Sequence, residues 1–123
     1  SMATLQSTVD FITSQIDNGG MMTSRKMFGE YALYCEGKIV AFICDDSLFL
    51  KPTPEAKEFF PEAIDAPAYP GSKMYMLVPS EKWEDREFMS SLITITYEGL
   101  PKANPKKVKY QKDRQYLFNF QML

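Results

Sequence analysis

The sequence predicts an α+β fold in which an antiparallel sheet is flanked by helices. Three observations carry that prediction. Leu5, Val9, Ile12 and Ile16 recur at i, i+4, i+7 and i+11, which is the spacing of one helix face. Between 27 and 51, β-rich runs are separated by Glu36-Gly37 and Asp45-Asp46, spacers short enough for tight antiparallel hairpins. Further on, Phe88, Leu92 and Ile95, with Met89 and Ile93, return to helical spacing.

Taken in order, the first helix covers 4–18 and stops at Gly19-Gly20, since glycine accepts the left-handed conformation of a helix C-terminus. Strands follow at 27–35, 38–45 and 47–51 as a meander. A two-residue turn at Glu36-Gly37 pairs Cys35 with Lys38, Leu33 with Val40 and Tyr31 with Phe42. Tyr31, Leu33, Val40 and Phe42 then share one face. Ala32, Tyr34, Ile39, Ala41 and Ile43 make the other face nearly as apolar. A sheet with one wet face would alternate cleanly, so this one needs a cover on both sides. Its own helices supply one, and the C-terminal tail or a second subunit supplies the other. Cys44 falls opposite Gly29 on this register, away from Cys35, and no disulfide is expected.

Pro54 opens a short helix over 54–60 at the position where proline fits. Pro61, Pro67, Pro70 and Gly71 mark an irregular crossing. A strand over 73–78 ends at Pro79, and Ser80 caps a helix over 80–99, whose early acids Glu81, Glu84 and Asp85 suit the dipole. Gly99 ends it. The order is therefore α-β-β-β-α-β-α, with domain 1–100 followed by a basic-aromatic tail, 101–123. The tail's Tyr116, Leu117, Phe118, Phe120, Met122 and Leu123 are too apolar to stay in water. They are expected to pack on the domain or on a partner subunit.

Composition narrows the chemistry. The chain of 123 residues is the size of one domain, and with 45% hydrophobic and 24% charged residues it reads as globular. It has no histidine, which removes Ser-His and Cys-His pairs, imidazole acid-base work and His-ligated zinc. Two cysteines cannot build a four-thiolate site. No apolar run approaches the roughly 18 residues of a membrane span. Ser1 before Met2 reads as a cloning remnant, and Ala3-Thr4-Leu5-Gln6 is too polar for a signal peptide, so a cytoplasmic location with free thiols is expected. The net charge of −2 hides an asymmetry: residues 1–100 carry 8 basic and 15 acidic side chains, whereas 101–123 carry 6 basic and 1 acidic. The tail thus has a complementary partner in the body itself.

Met27-Phe28-Gly29, Leu33-Tyr34, Gly37-Lys38, Ala41, Asp45 and Leu48-Phe49-Leu50-Lys51 form one block, and Met74-Tyr75-Met76-Leu77-Val78-Pro79 with the following helix a second. Over about 25–99 these blocks resemble the N-terminal domain family of TfoX/Sxy competence regulators, as a stand-alone N-terminal domain. The resemblance implies a two-layer α+β architecture similar to that of secretion chaperones, and a homodimer. It implies a non-catalytic interaction module in transcriptional regulation, with a protein partner such as the cyclic-AMP receptor protein, and it brings no catalytic residues or cofactors. Full-length regulators add a helical C-terminal domain, whereas here a linker and the short tail follow Gly99.

Four groups of residues are candidates for function. Arg25, Lys26, Phe28 and Gly29 could present a basic edge to a protein partner or to phosphate; the plainer alternative puts Phe28 in the core, makes Gly29 a bulge or a close-packing point at the start of a strand, and leaves the two cations solvated. Lys102, Lys106, Lys107, Lys109, Tyr110, Lys112 and Arg114 interleave cations with aromatics, as single-stranded nucleic-acid sites do, and the plainer alternative is a strap across the sheet. Asp45-Asp46 and Glu81, Glu84, Asp85 and Glu87 could attract a hard cation, but they read better as turn formers and helix-start acids. Cys35 and Cys44 would sense oxidants only if a thiolate were stabilised, and Lys38 opposite Cys35 would help slightly. An enzyme built on Tyr31, Tyr34 or Tyr75 with carboxylates would need a deep polar pocket.

Overall fold

A computed structural model describes residues 3–101. Within them lie a helix α1 (Gln6–Ser14), strands β1 (Met22–Met27), β2 (Glu30–Cys35), β3 (Lys38–Cys44) and β4 (Ser47–Leu50), and a helix α2 (Pro54–Phe59). Strands β5 (Ile64–Pro67) and β6 (Met74–Val78) and helices α3 (Ser80–Trp83) and α4 (Arg86–Gly99) follow. The strands form one antiparallel sheet in the order β1-β2-β3-β4-β6-β5. The α+β class and the flanking helices match the sequence prediction. The docking and nucleic-acid readings of 102–123 lie outside the described residues.

The meander has one more strand than the sequence suggested. The run 27–35 is broken at Phe28-Gly29, where β1 turns into β2. All three two-residue turns place both residues in the left-handed region: φ +51° and +82° at Phe28 and Gly29, +47° and +82° at Glu36 and Gly37, +51° and +56° at Asp45 and Asp46. Such turns carry the twist that paired strands need, which is why they outcompete other connections. Gly29 is therefore a turn residue and not a bulge, and Phe28 stands outside the core with 57% of its surface exposed.

The bulge lies elsewhere. Tyr34 pairs with Ile39, but Leu33 pairs with Ala41, so Val40 is an extra residue in β3. One inserted residue swaps the faces of everything beyond it. Phe42 therefore sits across from Ala32, and Ile43 across from Tyr31, correcting the register that paired Tyr31 with Phe42. Cys35 ends on one face and Cys44 on the other, both buried and both free.

Both faces are indeed apolar. The helix side holds Val9, Ile12, Leu33, Val40, Ile43, Leu48, Leu50, Met76, Met89, Leu92 and Ile93. Each such side chain contributes about 1.5–3 kcal/mol on burial. The opposite side holds Ala32, Tyr34, Ile39, Phe42, Cys44, Phe49 and Tyr75, joined by Ala68 and Tyr69 from the crossing. That crossing contains β5, an edge strand where Pro67 costs no ladder bond the sheet needs.

The helices differ in their ends. α1 is shorter than 4–18, and Leu5 is its N-cap, 56% exposed and not on the buried stripe. Leu5 has no side-chain acceptor, and Asp46 supplies one from the β3–β4 turn: its Oδ1 accepts from Leu5 N and Thr8 Oγ1, each at 2.9 Å. The predicted helix 80–99 is two helices. Asp85 interrupts it by capping α4, its carboxylate accepting from Phe88 N at 3.0 Å, while Ser80 caps nothing and Pro79 is the N-cap of α3. At the other end, the Lys38 Nζ donates to the carbonyls of Tyr97 and Leu100 at 3.4 and 3.3 Å and lies 4.3 Å from the Tyr97 ring centroid. A cation there suits the negative end of the helix.

Candidate functional site

β1 is an edge of the sheet, paired on one side only among the described residues. Its sequence explains why it can stay there: Thr23, Ser24, Arg25 and Lys26 are exposed, and charged side chains on an edge discourage indiscriminate strand pairing. The pleat splits its two cations. Arg25 pairs with Ala32 and lies on the face of the second cluster; Lys26 pairs with Tyr31 and lies on the helix side, its Nζ 6.0 Å from the Tyr31 ring centroid.

The β1–β2 turn completes the surface. The N-terminal segment packs against it, with Thr4 N donating to Gly29 O at 3.1 Å. A Cβ on Gly29 would come within 3.2 Å of the Ala3 Cβ, in a left-handed conformation that already disfavours side chains. Phe28 beside it is a bulky residue at positive φ, which costs energy and marks the position as one the surrounding structure enforces. Thr4 is fixed from below by Glu30, whose Oε1 accepts from Thr4 N at 3.1 Å and Thr4 Oγ1 at 2.6 Å, and whose Oε2 accepts from Asp45 N at 2.8 Å. Leu5 and Phe28, both more than half exposed, thus flank a braced turn next to Arg25 and Lys26. Exposed apolar side chains and cations at one strand end suit a partner with an apolar patch and acidic groups.

The structure therefore brings Arg25, Lys26, Phe28 and Gly29 onto one strand end and its turn. Sequence reasoning missed Leu5, because helical spacing assigned it to the buried stripe. The readable signal was Phe28-Gly29 itself, a third two-residue spacer.

Nothing comparable assembles for catalysis among the described residues. Tyr31 lies in the helix-side cluster with its hydroxyl donated to Gln6 Oε1 at 2.9 Å, whereas Tyr34 and Tyr75 lie in the opposite cluster. Tyr75 packs edge-on against Phe42 at 5.4 Å. Among the depressions lined by described residues, one is formed by Thr23, Ser24, Arg25, Tyr34 and Gly37 and another by Lys57, Phe60, Pro61, Ala63, Asp65 and Met76. Asp46 is engaged in capping α1, Asp85 in capping α4, and among the described residues no three His, Cys, Asp or Glu side chains group to hold a metal ion. No described helix is long and apolar enough to cross a membrane.

The thiols are driven away from reactivity. Burial pushes the Cys35 thiol up, Glu36 adds to the effect, and Lys38 offsets it only in part. Burial pushes Cys44 from 9.0 to about 12, with Glu30 and Asp45 adding to it, and burial pushes Tyr75 from 10.0 to about 12, helped by Tyr69 and Cys44. A raised folded value means the native state keeps its proton longer than the unfolded chain. Stability is thus complete below pH 9 and is lost as pH climbs from 9 toward 12. Urea midpoints measured between pH 7 and 11 should be level to about pH 9 and then decline, with a shallower decline in Cys44→Ala. A thiol-specific reagent at pH 8 should label the native protein slowly and the unfolded protein at once; rapid native labelling of Cys44 would contradict the burial.

Comparison with known proteins follows the same outline. The profile described as the TfoX N-terminal domain matches residues 14–100. An uncharacterized 12.7 kDa protein in the trpE 5′ region of Spirochaeta aurantia is 37% identical over 108 residues, covering 88% of this chain and 93% of the relative.

Proposed function

This chain belongs to the TfoX N-terminal domain family, and from that premise we propose that it is a non-catalytic interaction module that contacts a protein partner through the β1 edge and the β1–β2 turn. The observation that carries the reading is Phe28, held at φ +51° and 57% exposed beside Arg25 and Lys26. A fold that places an aromatic there at conformational cost has a use for it at the surface.

Resemblance to competence regulators supports the finer form of the proposal. The module acts as a homodimer in transcriptional regulation in the cytoplasm, and its partner is a transcription factor such as the cyclic-AMP receptor protein. Size-exclusion chromatography with light scattering should give twice the 14.1 kDa chain mass at micromolar concentration; a monomer would overturn the dimer. Calorimetric titration against purified cyclic-AMP receptor protein should show binding that Arg25→Glu and Phe28→Ser each weaken at least about tenfold, a loss of roughly 1.4 kcal/mol. Both positions are exposed, so the thermal midpoint should move little. Binding unaffected by either substitution would move the contact elsewhere, and no binding would remove this partner.

A further inference from the structure

We propose that the outer edge of β1 takes up an extended, acidic segment of a partner protein as a seventh strand of the sheet. The inference rests on the reading that a protein partner meets the β1 edge. It adds how that partner is held: by backbone pairing, with acidic side chains selected by the edge's cations.

The backbone is laid out for it. The Phe28-Gly29 turn closes on Met27 and Glu30, so this pair exchanges both of its ladder bonds. Alternation along the register makes Arg25 with Ala32 and Thr23 with Tyr34 the next bonded pairs. The bond from Glu36 N to Met21 O at 3.2 Å continues the same series beyond the strand. Met22, Ser24 and Lys26 therefore turn their N–H and C=O groups away from β2, on the side where the described sheet ends. An extended chain laid there meets bonding residues about 7 Å apart, its own repeat. Residues 23–26 are exposed, and the register of β1 on β2 is unbroken by a bulge. The opposite edge is poorer. β5 has four residues, among them Asp65 and Pro67, and proline has no N–H to offer.

Charge names the occupant. β1 carries two cations and no acid, on a body (1–100) with 8 basic and 15 acidic side chains. The pleat puts Arg25 on one face and Lys26 on the other. A strand with two adjacent carboxylates thus finds a cation on each face. Opposite charges across a ladder favour pairing, and like charges oppose it. A second copy of this chain is disfavoured for that reason, because β1 laid on β1 brings both copies' Arg25 and Lys26 together. Strand addition of this kind draws its affinity from the main chain and its selectivity from the side chains.

The test uses the full chain and a fluorescent peptide, acetyl-Thr-Val-Glu-Glu-Val-Thr-amide, beside its Lys-Lys counterpart and a form N-methylated at alternate amides. Anisotropy titration should show the Glu-Glu peptide binding at least about tenfold more tightly than either of the others. The Ser24 and Lys26 amides should exchange fast in the protein alone and at least about tenfold more slowly with peptide, whereas Thr23 and Arg25, already in the ladder, change little. Ser24→Pro removes a donor only on the open side, so it should keep the sheet signal in far-ultraviolet dichroism and weaken the peptide at least about tenfold. Lys26→Glu, which leaves the backbone intact, should reduce the preference for Glu-Glu over Lys-Lys to less than about threefold. Slow exchange at Ser24 and Lys26 without peptide would show the edge already paired and would overturn the proposal. Equal binding of the three peptides would overturn it too. Failure of the peptides, with Phe28→Ser still weakening the cyclic-AMP receptor protein, would remove the strand addition and leave the partner reading standing. Peptide binding as expected, without binding of that protein, would support the strand addition and remove only that partner.

Discussion

Phe42→Ala is expected to lower the free energy of unfolding by about 3–5 kcal/mol, the usual cost of removing a wholly buried ring. Phe42 is 0% exposed, and its ring meets Tyr75 edge-on at 5.4 Å. Truncation leaves a void in the centre of the second cluster, bordered by Ala32, Phe49 and Tyr75, which strands fixed in a six-stranded ladder cannot close up to fill. Domains of this kind have about 5–15 kcal/mol in total, so the variant should unfold at a far lower urea concentration or at room temperature. Equilibrium urea unfolding followed at Trp83 gives the number. A loss below about 1 kcal/mol would show that this face is surface and that the chain has a one-sided core.

Glu30→Ala should be the second large effect, about 2–4 kcal/mol, although it removes a charge rather than an apolar group. Three donors from two segments converge on this buried carboxylate: Thr4 N, Thr4 Oγ1 and Asp45 N. Hydrogen bonds to charged groups are among the stronger ones; Thr4 N keeps the Gly29 carbonyl and Thr4 Oγ1 the Ile43 carbonyl, but all three donors lose their charged acceptor. The damage should spread locally, because the same N-terminal segment carries the α1 cap made by Asp46 and the contact of Thr4 with Gly29. Amide exchange at Thr4, Leu5 and Asp45 should accelerate ahead of the sheet interior. Glu30→Gln keeps one oxygen acceptor and should cost less than half as much. Equal losses in the two variants would mean that packing, not acceptance, is Glu30's contribution.

These two residues show where sequence reading ran out. The apolar excess on both sides of the meander was legible, because Ala32, Tyr34, Ile39, Ala41 and Ile43 break any clean alternation. Which residue faced which way was not. Val40 looks like every other β-branched residue in the run, and nothing local marks it as the inserted one. A bulge is chosen by the fit of both faces at once, so Phe42 and Ile43 exchanged sides. Glu30 was equally silent. In sequence it follows a turn glycine and reads as a solvated acid; only the return of Thr4, 26 residues earlier, makes it a clasp.

At the candidate surface the balance is similar. Arg25, Lys26, Phe28 and Gly29 were identifiable as a group from their order alone. That Phe28 stands outward at the tip of a turn, and that Leu5 joins it, follows from the N-terminal segment packing against Gly29.

By itself the sequence determined the element types, the antiparallel meander, the absence of histidine chemistry and the family, because periodicity, turn spacing and composition are written residue by residue. Tertiary structure alone decided the faces of β3, the split at Asp85, the cap that Asp46 lends to α1 and the outward position of Phe28. Each of these depends on which distant group satisfies a backbone donor or fills a space, and no local pattern contains that choice.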